Sequence, residues 1–563
     1  MSLDRTKIQW NGWGWVAAKD GLGERDDLWA WLADQLGMPS LLATPARPLD
    51  EIEIREPRLT ESQRAKFAEL LGQDRVRQDK YERAFHALGR SYHDLLRLRA
   101  GDLGAAPDAV LYPRGTDEVL SVLAYCSDNS IAVVPYGGGT SVVGGVSANA
   151  GPFESVVTLD ISGMDRLIDA DPLSNAATAE AGICGPALEK ALQAKGATLG
   201  HYPQSFEFST LGGWIGHRGA GQNSTLYGKA EDWLISAKLA TPRGLLATRD
   251  FPASAAGPHL TDLVCGSEGI LGVVTEATFR THPAPAGSDY FGYLFRDYAG
   301  GIAAIRHAMQ EDLPVAMLRL SDSAETNFYR SYGALGKTRG ISAALTDRYL
   351  KARGIGPEAC AMIVGLEGTP ESMAMSRRRF AQIAKKFDAI AVGNGPGERW
   401  RDGRFHGPYL RDPMMNRGVG VDTVETATSW AKLDALYAAV RQALENAVLE
   451  TAPRPGARGI VLCHVSHAYA GGASLYFTVI FPRALGSELT QWQTIKKAAS
   501  DAIVAHGGTI SHHHGVGEDH LPWIAQEKGA LGIDVLRAIK AALDPEGILN
   551  PGKLLPPGPP VDG

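Results

Sequence analysis

Cysteine is scarce: five residues, at 126, 184, 265, 360 and 463, in a chain of 563, with no C-x-x-C pair among them. An odd, scattered set gives neither a disulfide framework nor a thiolate metal site, and it fits a reducing cytoplasm. Long apolar runs are missing too. No segment approaches the roughly eighteen uncharged apolar residues of a membrane span, and Met1-Ser2-Leu3-Asp4-Arg5-Thr6-Lys7 lacks the apolar core of a signal peptide. No long block carries one sign of charge: 63 acidic and 56 basic residues leave a net charge of -7, spread along the chain. That spread argues against a polyanion-tracking surface, so nucleic acid is not an expected partner. What is there begins with tryptophan. Trp10, Trp13 and Trp15, then Trp29 and Trp31, either pack on the body of the protein or make a peripheral contact with a membrane or lipid substrate.

The length exceeds what one hydrophobic core usually holds, so two or three structural units are expected. Residues 24–100 have mostly helical periodicity, clearest at 27–36 and 61–71, each followed by glycine. At residue 109 the pattern changes to β-α-β: strands at 109–113 and 131–135, with an amphipathic helix at 116–128 capped by Thr116. Strands at 156–160 and 175–180 and a helix at 184–195 follow, with strand-like pieces to 280. Pro283 and Pro285 then mark a boundary near residue 283. Beyond it an α/β unit runs to about 495, with strands at 290–295, 315–320, 456–465 and 473–481 and helices at 300–310 and 489–506. The tail holds a glycine-histidine loop, a helix at 535–543 and a proline-rich end. The segments are therefore 1–104, 105–282, 283–505 and 506–563.

Pro135-Tyr136-Gly137-Gly138-Gly139-Thr140-Ser141 follows an apolar strand directly, and its glycines expose backbone N–H groups where no Cβ holds a ligand away. It is neither a P-loop nor a Rossmann fingerprint, and alone it serves equally as a pyrophosphate cradle or a tight structural turn. A second loop, Phe208-Ser209-Thr210-Leu211-Gly212-Gly213-Trp214, sets small and hydroxyl residues ahead of a helix whose free amides favour phosphate. A third, Gly266-Ser267-Glu268-Gly269, precedes Ile270-Leu271-Gly272. Three such loops point to a bound dinucleotide.

On these loops, together with Trp10-Asn11-Gly12-Trp13-Gly14, Pro203 to Trp214, Thr241-Pro242-Arg243-Gly244 and Ser511-His512-His513-His514-Gly515, the chain resembles the alkyldihydroxyacetonephosphate synthase family within the vanillyl-alcohol oxidase type of flavoprotein. The resemblance implies an α+β fold: a two-subdomain PCMH-type FAD-binding domain, an α/β cap over the isoalloxazine, a helical N-terminal segment and a C-terminal return. It implies FAD on Pro135, Tyr136, Gly137, Gly138, Gly139, Thr140 and Ser141, on Pro203, Ser205, Thr210, Gly212, Gly213 and Trp214, and on Glu268, Ile270 and Gly272. Residues 133–146 contain no histidine for covalent attachment, so the FAD is expected to be non-covalent.

The implied chemistry exchanges the acyl group of an acylated dihydroxyacetone phosphate for a long-chain alcohol through a flavin N5 adduct, without net electron transfer. The alternative on the same scaffold is an FAD-linked dehydrogenase or oxidase of an alcohol or 2-hydroxy acid. Tyr476 interrupts an apolar strand. Its residue type alone reads as core, and the resemblance makes it the acid–base group, its pKa lowered by Arg411 and the histidine loop. Arg319, in another apolar strand, either pairs with a carboxylate or binds the substrate anion, and the resemblance favours the anion. Arg411 aligns with a second active-site arginine, and Glu425 with the substrate cavity. Of His512, His513 and His514, an extended backbone puts the first and third on one face and the second on the other. No metal is expected. The expected partners are a phosphate-bearing lipid, a fatty alcohol and a second copy in a homodimer.

Overall fold

A computed structural model describes residues 4–18, 25–336 and 348–556; the proline-rich end at 557–563 lies outside them. Three large sheets and a two-stranded one, His282–Pro283 with Ala197–Thr198, organise these residues. The first is four-stranded, in the order Val76–Arg77, Ala109–Leu111, Ser155–Asp160, Ile131–Tyr136. Its last three strands are parallel, as a β-α-β crossover through helix Thr116–Asp128 requires. Gly115 rather than Thr116 caps that helix, with extended backbone. Thr116 is instead its first residue and donates from Oγ1 to Thr275 Oγ1 at 3.0 Å, which ties the helix to the next sheet.

That second sheet is antiparallel, in the order Leu167–Asp171, Ala176–Glu180, Val273–Arg280, Leu234–Thr241, Gly244–Ala247. Its apolar face shares one core with the first sheet, through Val133, Val157, Leu159, Ala179, Leu239 and Phe279. The third sheet has seven strands: Ile390–Gly393, Gly287–Phe295, Cys360–Gly368, Met317–Ser321, Ile460–Ala468, Gly472–Pro482 and Val419–Ser429. Every pairing in it is antiparallel. Helices separate several strands of this α/β cap, and Ile460–Ala468 and Gly472–Pro482 pair through a short hairpin.

The N-terminal helices form no unit of their own. Glu61–Leu71 opens with a capping box between Thr60 and Gln63 and ends at Gly72, and its Phe67 and Leu71 enter the core of the first two sheets. Leu28, Trp29, Leu32 and Leu36, on and just after Asp26–Gln35, instead pack on Val419, Leu462 and Ile480 of the cap. Trp13 and Trp29 are buried and Trp10, Trp15 and Trp31 half-buried, so the tryptophans pack on the body. No described helix is long and apolar enough to cross a membrane.

The tail returns across the molecule. Its helix spans Leu521–Leu543 with a kink at Gly529, longer than the 535–543 expected from periodicity, because two glycines interrupt the pattern without ending the helix. After it, Val133 donates its N–H to Ile548 O at 2.9 Å and Asn550 donates to Val133 O at 2.8 Å, which closes the edge of the first sheet.

Candidate active site

The three glycine loops meet. Gly138 lies against Phe208 O so closely that a Cβ would collide with it, and Gly269 faces Pro135. Among the described residues, the backbone amides of Gly138, Gly139 and Thr140 donate to no other part of the chain. Ser141 turns inward, its Oγ accepting from Gly145 N–H at 2.9 Å. Thr210 caps helix Leu211–Gly216 by accepting from Gly213 N–H, so the helix start and the free amides lie side by side. Nearby, His217 Nε2, Ser267 Oγ and Asn550 Oδ1 are buried without a hydrogen-bond partner in the chain. Free amides, a helix start and orphaned polar atoms fit a dinucleotide pyrophosphate.

Several expected cofactor residues also have partners within the chain. Tyr136 is buried beneath the loop, and Ile270 sits in the core. Gly212 donates to Ala181 O at 2.7 Å, and Gly272 packs on Leu239. Trp214 is buried and donates to Ser209 Oγ at 2.8 Å. Pro203 and Ser205 form the turn before that helix, their carbonyls accepting from Phe206 and Phe208. Glu268 accepts from the amides of Val516 and Gly517, at 2.6 and 2.7 Å, one on each oxygen. Its carboxylate therefore joins the third loop to the C-terminal return.

The chemistry-bearing side chains gather on one face of the cap sheet. In the antiparallel register Glu425 lies opposite Tyr476, Tyr476 opposite His464 and His464 opposite Ser321, and directly opposite residues share a face. Glu425 is buried and fully occupied. Its Oε1 accepts from Ser511 Oγ (2.8 Å) and from the amides of His513 and His514 (3.1 Å each), and its Oε2 from the amide of His512 (2.8 Å). It anchors the histidine loop and has no oxygen left for substrate, which corrects its expected role.

The same anchoring overturns the expected alternation of the histidines. The loop turns around the carboxylate instead of running extended. His513 and His514 both face Tyr476, with ring centroids 6.1 and 5.8 Å away, while His512 pairs with Tyr469 OH at 2.6 Å. His464 stacks on the tyrosine at 5.1 Å. His467, His512 and His513 bring ring nitrogens within 4.8 Å of one another. Those nitrogens already serve hydrogen bonds: His467 donates to Gly221 O, and His512 pairs with Tyr469 and His513.

Arg319 takes the paired arrangement. Its Nη2 donates to Glu325 Oε1 at 2.9 Å, and the same oxygen lies 3.1 Å from His464 Nδ1. The guanidinium beside it holds the buried Glu325 carboxyl down at about 2. Arg411 donates to Arg90 O at 2.8 Å and has no ion-pair partner among the described residues. Sequence reasoning missed Lys496, which reads as an ordinary surface lysine of helix Glu488–Ala505. It is buried, without an ion-pair partner among the described residues, and its charge acts on His514 and Asp519. Lys229, also missed, donates to His512 O at 2.8 Å.

Burial raises the Tyr476 pKa. The hydrogen bond from Thr423 and the Arg411 charge pull the other way, Glu425 pushes up, and the net shift is upward, against the lowered value expected. The histidines give no help because burial keeps them neutral, His513 down at about 3 and His514 at about 4. A depressed histidine pKa means that the unfolded chain, titrating near 6.5, binds its proton first. His514 therefore costs stability as pH falls from about 6.5 toward 4, and the cost is absent above 6.5. Compared with wild type, His514→Gln is expected to gain about 3 kcal/mol between pH 7 and 4, read as the change in the difference between their urea midpoints. A pH-independent difference would show that the ring is charged in the folded protein.

Comparison with known proteins places this geometry. Residues 107–249 match the model described as FAD binding domain, and residues 284–554 match FAD linked oxidases, C-terminal domain. An alkyldihydroxyacetonephosphate synthase of Dictyostelium discoideum is 32% identical over 516 residues, covering 91% of this chain and 84% of that protein. A solved alkyldihydroxyacetonephosphate synthase superposes with a TM-score of 0.83 at 29% identity, over 98% of this chain and all of that one. Glycolate oxidase subunit GlcD of Bacillus subtilis is 26% identical, covering 80% of this chain and 89% of that protein.

Proposed function

The chain belongs to the alkyldihydroxyacetonephosphate synthase family of FAD-dependent flavoenzymes, and from that premise we propose that it replaces the acyl group of an acylated dihydroxyacetone phosphate with a long-chain alcohol. The observation that carries this reading is the pairing of one arginine and the freedom of another: Glu325 holds Arg319, while Arg411 has no carboxylate partner among the described residues and faces Tyr476 electrostatically. Arg411, with Lys496, meets the phosphate. Bound flavin supplies an electron-poor centre for the substrate carbon. Tyr476 takes the proton beside the carbonyl and returns it. The bond from C1 to the carboxylate oxygen breaks and one from C1 to the alkoxide oxygen forms, the alcohol proton leaves with the fatty acid, and no electrons are consumed. Neutral His513 and His514 donate hydrogen bonds to substrate oxygens without adding charge.

The GlcD similarity supports a second reading, oxidation of a 2-hydroxy acid with the same arginine on a carboxylate. One anaerobic experiment separates the two. Acyl-dihydroxyacetone phosphate plus fatty alcohol is expected to yield ether and fatty acid with the flavin's visible band intact at the end of turnover. Lasting bleaching by 2-hydroxy acids, with no ether formed, would replace the first reading by the second.

A further inference from the structure

The Trp10-Asn11-Gly12-Trp13-Gly14 motif has no part in the chemistry above, yet it lies between the cofactor loop and the cap. Residues 7–16 make a tight hairpin. Ile8 bridges Trp15, Gln9 donates its N–H to Gly14 O at 2.8 Å, and Val16 donates to Lys7 O at 2.8 Å. Tyr81 OH shares its one proton between Arg5 O at 2.9 Å and Ile8 O at 3.1 Å, fixing the hairpin to helix Lys80–Phe85.

One end of this strap grips the first glycine loop. Arg5 is buried, its guanidinium donating to Gly137 O and, at 2.9 Å, to Asp160 Oδ2 on the neighbouring strand. The rings of Phe85 and Tyr136 both lie 5.5 Å from it. Trp13 and Trp15 pack on Phe208, whose carbonyl Gly138 abuts, at centroid distances of 5.8 and 4.9 Å.

The other end grips the cap beside Arg411. The Trp13 amide donates to Asp412 Oδ2 at 2.7 Å. Gly14, at φ +88°, lies so close to the Tyr409 ring that a Cβ would enter it, and Tyr409 OH donates to Glu207 Oε2 at 3.0 Å. Arg90 joins both ends: its N–H donates to Ser141 O at 2.7 Å, and its carbonyl accepts from Arg411.

We propose that residues 5–15 are a strap that fixes the pyrophosphate loop and the helix Arg411–Met415 relative to one another, with Arg5, Trp13 and Gly14 as positioning residues for FAD retention. Arg5 acts through Gly137 and Asp160 rather than by touching the cofactor. The inference rests on FAD binding and not on the exchange chemistry.

The test uses the full-length holoprotein and reads the FAD dissociation constant by flavin fluorescence on dilution, with no substrate present. Arg5→Ala and Gly14→Val are each expected to weaken FAD binding about tenfold or more, the change that about 1.4 kcal/mol produces. Excess FAD is expected to restore the wild-type flavin spectrum, and Arg5→Lys, which keeps the charge beside Asp160, to stay nearer wild type than Arg5→Ala. Affinities within about twofold of wild type in both Arg5→Ala and Gly14→Val, or a loss in Arg5→Ala that saturating FAD cannot restore, would overturn the proposal. Failure of the exchange reading shows separately, as holoprotein that keeps FAD and forms no ether.

Discussion

Tyr476→Phe is expected to lower turnover about 10²–10⁴-fold, the range of general acid–base catalysis, while FAD stays bound with an unaltered visible spectrum. The phenol removed lies among His464, His513 and His514 and interacts with Arg411; of the two carboxylates that act on it, Asp422 accepts from the Trp492 indole N–H at 2.9 Å. Glu425, directly opposite, is fully hydrogen-bonded. The raised pKa sets the form of the pH dependence. If the phenolate takes the proton, only a small fraction of Tyr476 is competent at neutral pH, and the wild-type rate rises about tenfold per pH unit toward and beyond the free tyrosine value of about 10. A substrate phosphate on Arg411 offsets part of that cation's pull and keeps the limb high. The checks are kcat of wild type and variant from pH 6 to about 10; a variant turning over at the wild-type rate, or a wild-type profile flat across that range, would remove the tyrosine from proton transfer.

Local pattern accounts for the parts of the fold and site that were legible. Strand-glycine-glycine-glycine, hydroxyl-before-helix and a tyrosine inside an apolar run are all readable within ten residues, and each corresponds to a real element. The rest depends on register. Nothing near Glu425 in the sequence shows that strand Val419–Ser429 lies beside strand Gly472–Pro482, or that a loop some ninety residues later folds its amides onto the carboxylate. The histidines were misjudged because an extended chain alternates its side chains, whereas one acceptor collecting three consecutive amides forces a turn. Arg319 had its partner six residues away, but the intervening turn into helix Ser323–Ala334 decides whether Glu325 points back to it. Lys496 and the Arg5 strap carried no local signal beyond a helical lysine and a tryptophan-rich segment.

The Glu425 assignment can be separated from a substrate-binding role by stability. Glu425→Ala strands the His512 and His513 amides and the Ser511 hydroxyl in a buried setting, at about 1–3 kcal/mol for each donor left without an acceptor, while the His514 amide keeps Ser511 Oγ. The variant is expected to lose several kcal/mol in urea unfolding and to turn over poorly, because His513 and His514 lose the frame that holds them against Tyr476. Glu425→Gln tests the geometry more finely. Its remaining carbonyl oxygen can serve Ser511, His513 and His514 as Oε1 does now, but its NH₂ then faces the His512 amide, donor against donor. It is therefore expected to fall between alanine and wild type in both stability and kcat. A carboxylate that contacted substrate would give the opposite pattern: a normal unfolding midpoint in both variants, with the loss confined to KM. The pH dependence supplies a second criterion. Burial acts to raise the Glu425 pKa, but the electrostatic pull of His513, His514 and His512, and then the His513 amide, hold it well below the ordinary carboxylate range. A depressed carboxylate stabilises the fold above the unfolded value near 4.3 and loses that contribution as pH falls through its folded pKa. The gap between wild type and Glu425→Gln is thus expected to be widest at neutral pH and to narrow on acidification, a trend that a solvent-facing substrate ligand would not show.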